Sequence, residues 1–144
     1  MKILIQRSLA ASVTIAGDCV GKIDYGLVAL LGFEPQDNDE TLGKMADKLL
    51  AYRVFADEQG KMNLNVTQVG GGVLAVSQFT LAADTRKGLR PSFSSAAAPD
   101  HAQQLYDAFI DKLKARYALI ECGRFGADMQ VSLINDGPVT FLLE

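Results

Sequence analysis

Two short stretches of this chain carry residue types able to act on a carbonyl group. The first is Ser77-Gln78-Phe79-Thr80-Leu81, two hydroxyls and an amide directly after the apolar run Val73–Val76. Hydroxyl, amide and free backbone N–H groups gathered at a strand end can bind a carbonyl and the oxyanion that develops from it. Spacing alone favours a plainer reading, a strand that ends in a polar turn. The second stretch is Asn135-Asp136-Gly137-Pro138-Val139-Thr140. Gly137 has no side chain and Pro138 no N–H, so this step presents bare carbonyl oxygens on a narrow, rigid profile. A cis bond is accessible there, since an X–Pro peptide gives up only about 0.5–1 kcal/mol to adopt it. From pattern alone, a tight turn between strands explains this stretch as well.

The remaining inventory narrows the chemistry. His101 is the single histidine, beside Asp100 and off the apolar face of a helical segment, so it reads as exposed surface. A Ser-His-Asp or Cys-His hydrolase needs a histidine base beside its nucleophile, and none is placed to serve. No carboxylate pair or metal-water cluster stands out. Cys19 and Cys122, the two cysteines, form no C-x-x-C pair, and with one histidine the usual zinc spacings cannot be built. Two reduced, partly buried thiols are expected, with no metal and no cofactor.

With 144 residues, 49% hydrophobic and 22% charged, the chain has the size and composition of one soluble domain spanning residues 1–144. Its net charge of −3 argues against bulk coating of a nucleic-acid duplex, which calls for a strongly basic surface. Any such contact must be local. The opening Met1-Lys2-Ile3-Leu4-Ile5-Gln6-Arg7 is too short an apolar run for a signal peptide. No stretch approaches the roughly 20 apolar residues that cross a bilayer, so a cytoplasmic location is expected.

The elements that must position these stretches follow from periodicity. Leu42, Met45, Ala46, Leu49 and Leu50 predict a helix from about Asn38 to Val54, with Asp37 and Glu40 as its capping box. Ala102, Leu105, Tyr106, Phe109, Ile110 and Leu113 predict a second from Pro99 to about Tyr117, with Pro99 in the first turn. Ile3–Arg7, Ala11–Ile15 and Cys19–Ile23 read as short strands, the last two joined by a turn at Ala16-Gly17-Asp18. Leu27–Phe33 is continuously apolar, as a strand covered on both faces should be. Met129, Val131 and Leu133, then Val139, Phe141 and Leu143, alternate with period two, and Asn135-Asp136-Gly137-Pro138 separates these runs. The predicted fold is α/β: antiparallel and mixed sheets in a barrel-like stack with two outer helices.

Taken together, Ser-Gln-Phe-Thr-Leu in mid-chain and Asn-Asp-Gly-Pro-Val-Thr near the C-terminus resemble the two signature motifs of the D-aminoacyl-tRNA deacylases. Ile5-Gln6-Arg7, Gly60-Lys61-Met62-Asn63-Leu64-Asn65, Arg90-Pro91-Ser92-Phe93, Gly123-Arg124-Phe125 and Asp128-Met129-Gln130-Val131-Ser132 are similar to that family too. The resemblance implies a homodimeric hydrolase that frees tRNA from D-amino acids, and from glycine, with an active site at the subunit interface. It implies that Ser77, Gln78, Phe79 and Thr80 form the local wall, while Gly137 and a cis Pro138 reach in from the partner. It also implies that Phe125 and Met129 enclose the terminal adenine of tRNA and that Arg7 holds the Gly-Pro loop. Core packing remains the alternative for Phe125 and Met129, and a plain surface role for Arg7. Arg86, Lys87 and Arg90, just after the first motif, are candidates for tRNA phosphates or simply a solvated charged loop.

The chemistry implied needs little from the protein, because an aminoacyl ester is activated and carries a 2′-hydroxyl next to the scissile bond. A hydroxyl held in place has a large effective molarity. The 2′-hydroxyl assisting water is thus one mechanism, and Thr80 as nucleophile is the other. A thioesterase or lactonase using Thr80, or a dimeric module that only binds the tRNA acceptor end, are the alternative functions.

Overall fold

The architecture is built around the most apolar segment of the chain. In the computed structural model, which covers Met1–Glu144, β3 (Gly26–Gly32) pairs antiparallel with β1 (Lys2–Ile15) and parallel with β6 (Gly72–Ser77). Leu27, Ala29 and Leu31 point into the main core, while Val28 points into a smaller cluster on the opposite face. Both faces of β3 are covered, which is why its sequence shows no alternation. Beyond β6 lies β7 (Ile120–Cys122), also parallel.

The strands predicted at Ile3–Arg7 and Ala11–Ile15 are one bent strand. Its first half pairs with β3, its second half with β2 (Asp18–Ile23), and β8 (Gln130–Leu143) follows its other edge along nearly the whole length. Register slips on either side of Ser8, a fully buried serine whose hydroxyl donates to the Gln6 carbonyl at 3.1 Å. A bulge of this kind bends a strand, and the sheet folds over so that β2 lies across β6 and β7. The approach is close: a Cβ on Gly21 would stand 3.0 Å from the Cys122 carbonyl oxygen and 3.2 Å from the Leu74 side chain. The result is the nearly closed, barrel-like sheet expected, with the smaller cluster (Ala11, Val13, Ile23, Val28, Leu74, Val76) inside it.

Helices α1 (Asp39–Ala51) and α2 (Pro99–Arg116) bury the stripes that their spacing predicts against the other face. Phe109 meets Phe33 edge-on with ring centroids 6.5 Å apart. Lys112–Asp39 and Arg116–Asp47, each 2.7 Å, link the two helices outside. Pro99 occupies the first turn of α2, but α1 is capped differently from the expectation. Asn38 is the cap, accepting from the Thr41 N–H at 3.0 Å. Asp37 turns inward instead and accepts from the Met1 ammonium and the Glu34 N–H, each at 2.7 Å. An ammonium is the stronger partner, and it displaces Asp37 from the helix start.

One further expectation is corrected, and one element is new. Cys19 is exposed, while Cys122 is half-buried, and both are free thiols. Between α1 and β6 lies a small hairpin that the sequence reading did not anticipate, β4 (Phe55–Ala56) with β5 (Met62–Leu64). Asp57 forms its turn by accepting from the Gln59 and Lys61 N–H groups. No helix is long and apolar enough to cross a membrane.

Candidate active site

The first motif sits where a buried strand runs out. Val73–Val76 of β6 are buried, and the Gln78 N–H extends the pairing with β3 by donating to the Leu31 carbonyl at 2.7 Å. The chain then tightens into a short 3-10 turn, Phe79–Ala82, closed by Leu81 N–H to Gln78 carbonyl and Ala83 N–H to Thr80 carbonyl. The leading N–H groups of such a turn, here those of Phe79 and Thr80, have no acceptor within it. Gln78 and Ser77 are half-buried and Thr80 is exposed. Phe79 stands out from the surface at 56% exposure and leans on Phe93, ring centroids 5.2 Å apart.

Thr80 has one polar side-chain partner, the Gln78 amide, which donates to its Oγ1 at 2.6 Å. An amide cannot take a proton from a hydroxyl, so nothing here activates Thr80 as a nucleophile. His101 is exposed on α2. No three His, Cys, Asp or Glu side chains converge anywhere in the chain. What the segment does offer is a fixed strand end whose Phe79 and Thr80 N–H groups have no backbone acceptor in the turn.

Phe125 and Met129 lie at the same end of the sheet, in the turn after β7. The Gly123 N–H donates to the Ala75 carbonyl at 3.1 Å, which sets that turn beside the last residues of β6. The Met129 sulfur occupies the space a Gly123 side chain would take, 2.6 Å from the Cβ position. Phe125 lies against Tyr106, centroids 5.9 Å apart. Tyr106 reads from its spacing only as part of the helix stripe, yet its buried hydroxyl donates to the Gly123 carbonyl at 2.9 Å and lies 3.3 Å from the Ala75 carbonyl. Desolvation, with the Cys122 thiol next, pushes its pKa well above the usual tyrosine range. It stays neutral and ties β6 to the turn.

The second motif is an excursion from β8 rather than a break between strands. Gln6 of β1 pairs with Thr140 and Ser8 with Asn135, so Asp136, Gly137, Pro138 and Val139 all stand opposite Arg7 alone. The strand tolerates Pro138 because β8 pairs with β1 only and is an edge. Gly137-Pro138 is cis and Gly137 has φ +124, a backbone region that L side chains rarely adopt. Both residues are exposed. Arg7 lies under them, its Nε 3.2 Å from the Asp136 carbonyl and 3.1 Å from its carboxylate, and its Nη1 2.7 Å from the Val54 carbonyl.

Register shows that the two motifs do not meet within one chain. Ser77 is level with Leu31, Ile3 and Leu143; Arg7 is level with Leu27 and Val73, four residues back along β6. The Gly-Pro loop is therefore displaced from Ser77 by roughly 13 Å along the strands and about 14 Å across three strand spacings. Between them, on the face turned away from the helices, Leu142, Leu4 and Leu30 form a row across β8, β1 and β3. Leu142 is 51% exposed, and Leu4 and Leu30 are only half-buried.

Past the 3-10 turn, backbone bonds between Asp84 and Ser92 close a loop. Arg86 grips Asp84 through one guanidinium edge, its Nε and Nη2 donating to the two carboxylate oxygens at 2.9 and 2.7 Å. These hydrogen bonds hold the Asp84 carboxyl well below the usual carboxylate range and raise the Arg86 guanidinium. Lys87 and Arg90 are exposed and have no carboxylate partner. Two of the three candidate cations are thus free, and the third is largely neutralised.

Comparison with known proteins identifies the family. The model of the D-Tyr-tRNA(Tyr) deacylase family matches residues 4–144. A D-aminoacyl-tRNA deacylase of Teredinibacter turnerae is 63% identical over 100% of this chain and 99% of its own. That of Saccharophagus degradans is 63% identical over 99% of each. A solved structure described as c-Myc DNA Unwinding Element Binding Protein is 41% identical with TM-score 0.96, covering 100% of this chain and 98% of that one. A probable eukaryotic D-amino acid tRNA deacylase, at 17% identity and TM-score 0.85, shares the fold. Sequence and fold together define a hydrolase. The chain belongs to the D-Tyr-tRNA(Tyr) deacylase family.

Proposed function

We propose that the chain hydrolyses the ester linking a D-amino acid to tRNA, as a homodimer in which each subunit completes the other's site. One observation carries the cross-subunit part: a rigidly held Gly137–Pro138 corner that is exposed on its own chain, far from the Ser77–Thr80 strand end. The row of half-buried Leu4 and Leu30 with exposed Leu142 supports a second copy docked on that face.

In this reading the carbonyls of Gly137 and Pro138 hold the α-amino group, and the N–H groups of Phe79 and Thr80 bind the ester carbonyl and its oxyanion. An L side chain would run into the backbone wall, while a D side chain points to solvent and glycine also enters. Selectivity is exclusion. Phe125 and Met129 flank the terminal adenine, and Lys87 and Arg90, with Arg86 contributing less, meet phosphates. The tRNA 2′-hydroxyl assists the attack of water, since the protein supplies no base. Residues 1–144 act as one deacylase domain in the cytoplasm.

Incubation with D-Tyr-, L-Tyr- and Gly-tRNA tests the reading. Cleavage of the D and glycyl esters with the L ester spared is expected. Cleavage of all three would mean a general esterase, and no cleavage a binding module. Thr80→Val should leave single-turnover hydrolysis within a few-fold of normal, whereas a tRNA ending in 2′-deoxyadenosine should be cleaved far more slowly. The opposite pair of results would make Thr80 the nucleophile.

A further inference from the structure

The Gly-Pro corner is supported from below by Arg7, but its neck is closed by a different residue. Asn135 Oδ1 accepts from the Val139 N–H at 3.0 Å, and Asn135 Nδ2 donates to Thr140 Oγ1, also at 3.0 Å. Gln6 Nε2 donates to the same hydroxyl oxygen at 3.1 Å from across the ladder. One side-chain amide therefore spans the excursion from its first foot to its second, where ladder pairing between Ser8 and Gln6 is interrupted. Its polarity matches: a backbone donor faces the oxygen, and a hydroxyl already receiving one hydrogen bond faces the nitrogen. Remove the amide and the Val139 N–H loses its acceptor, leaving Asp136, Gly137 and Pro138 held only by Arg7 on one side and the buried Val139 side chain on the other.

We infer that Asn135 is a positioning residue that clasps the Gly137–Pro138 corner, with Thr140 as its catch and Gln6 as the support, and so sets how strictly the enzyme separates mirror-image esters. This deepens the proposed cross-subunit reading and rests on it. Asn135 touches no reacting atom. It acts by holding the two carbonyls in one pose, because a corner free to tilt by about an ångström would lose the α-amino contact and open room for an L side chain.

Two readouts separate the clasp from the reading it rests on. Amide hydrogen exchange of the folded protein reports the clasp without any substrate. In Asn135→Ala the Val139 N–H should exchange at least tenfold faster, with core amides of β3 and β6 unchanged. Asn135→Asp should keep most of the protection, since one oxygen still accepts from Val139 and the Thr140 hydroxyl can donate to the other. Single-turnover rates on D-Tyr- and L-Tyr-tRNA report the consequence. The D-to-L ratio should fall at least tenfold in Asn135→Ala and recover in Asn135→Asp. Thr140→Val, an isosteric change at an exposed position, should give a smaller fall and serves if Asn135→Ala does not fold. Unchanged Val139 exchange in Asn135→Ala, or faster exchange with an unchanged ratio, would overturn the inference. If the wild-type protein itself fails to separate the two esters, the cross-subunit reading falls, and the exchange data still decide whether the clasp exists.

Discussion

At the end of β6 the chain is fixed from beneath. Val73–Val76 are buried between β3 and β7, the Gln78 N–H continues the ladder, and Phe79 and Thr80 emerge only after the backbone has no freedom left. At the Gly-Pro corner only the second foot reaches the core, through the buried Val139 side chain, and Arg7 lies beneath the rest. The β1–β8 ladder skips Arg7, Gly137 and Pro138 are exposed, and polar side chains hold the loop: Arg7 at Asp136, Asn135 at Val139, Gln6 and Asn135 at Thr140. Core burial can set a binding wall, because it is paid once by the whole domain. A corner set in an edge strand, here the proposed stereochemical stop, has to be held atom by atom, and single hydrogen bonds are worth only about 0.5–1.5 kcal/mol each. The wall should tolerate polar substitutions in activity but not core ones in stability, and the corner should behave the opposite way.

The largest effect expected from that contrast is on stability. Phe109→Ala empties a fully buried ring position against Phe33 and should cost about 3–5 kcal/mol. Denaturant midpoints read this, and the activity of the fraction still folded should be nearly normal. Next comes Gly137→Ala. Its Cβ would lie 2.7 Å from a Val139 methyl and 3.0 Å from Arg7 Nη2 at a φ of +124, so kcat/KM on D-Tyr-tRNA should drop about a hundredfold, roughly 2.7 kcal/mol, with little change in the denaturant midpoint. A large stability loss with the activity of the folded fraction retained would erase the distinction between the two regions.

Arg7→Lys should be intermediate, about tenfold in kcat/KM. A lysine keeps the charge but cannot bridge the Val54 carbonyl and Asp136 together, and Arg7→Ala should be worse. The smallest effects belong to the Asp84–Ser92 loop. Neutralising Lys87 or Arg90 should each lower the slope of log affinity for tRNA against log salt by about 0.7–0.9. Arg86→Ala should lower it less, because Asp84 already offsets that charge. The same substitution should raise the titration of the Asp84 carboxyl toward that of an ordinary aspartate, followed by NMR. The sign is that of a depressed carboxylate: whatever the Arg86 pair adds to stability is present above the unfolded pKa and fades as pH falls through the folded one.

Much of the fold was legible because burial leaves a mark on single residues. Leu27–Phe33 shows no alternation since both faces are covered, and the stripes of α1 and α2 are the ones buried. The bend in β1 was not legible: Ser8, Leu9 and Ala10 break the alternation as a turn would, and only the pairing with β8 shows that the strand continues. Asp37 looked like a cap because spacing cannot reveal an ammonium that arrives from Met1. At the site, both motifs were found through family likeness rather than through spacing, which favoured plain turns. The clasp stayed hidden although Asn135 lies inside a recognised motif, since half of its meaning lies in Gln6, 134 residues from Thr140. Tyr106 reads as core by its spacing, and its hydroxyl gives no sequence signal of the turn it holds.

The pairing of β1 with β8 joins Ile3 to Leu143 and closes nearly the whole chain into one loop. Contacts of such wide sequence separation form late, because closure entropy must be met before they return anything. The corner proposed to discriminate between enantiomers hangs from this most non-local ladder, at an edge with no strand beyond it. It should therefore be among the first parts released in partial unfolding, so that warming or mild denaturant erodes fidelity before it erodes the domain.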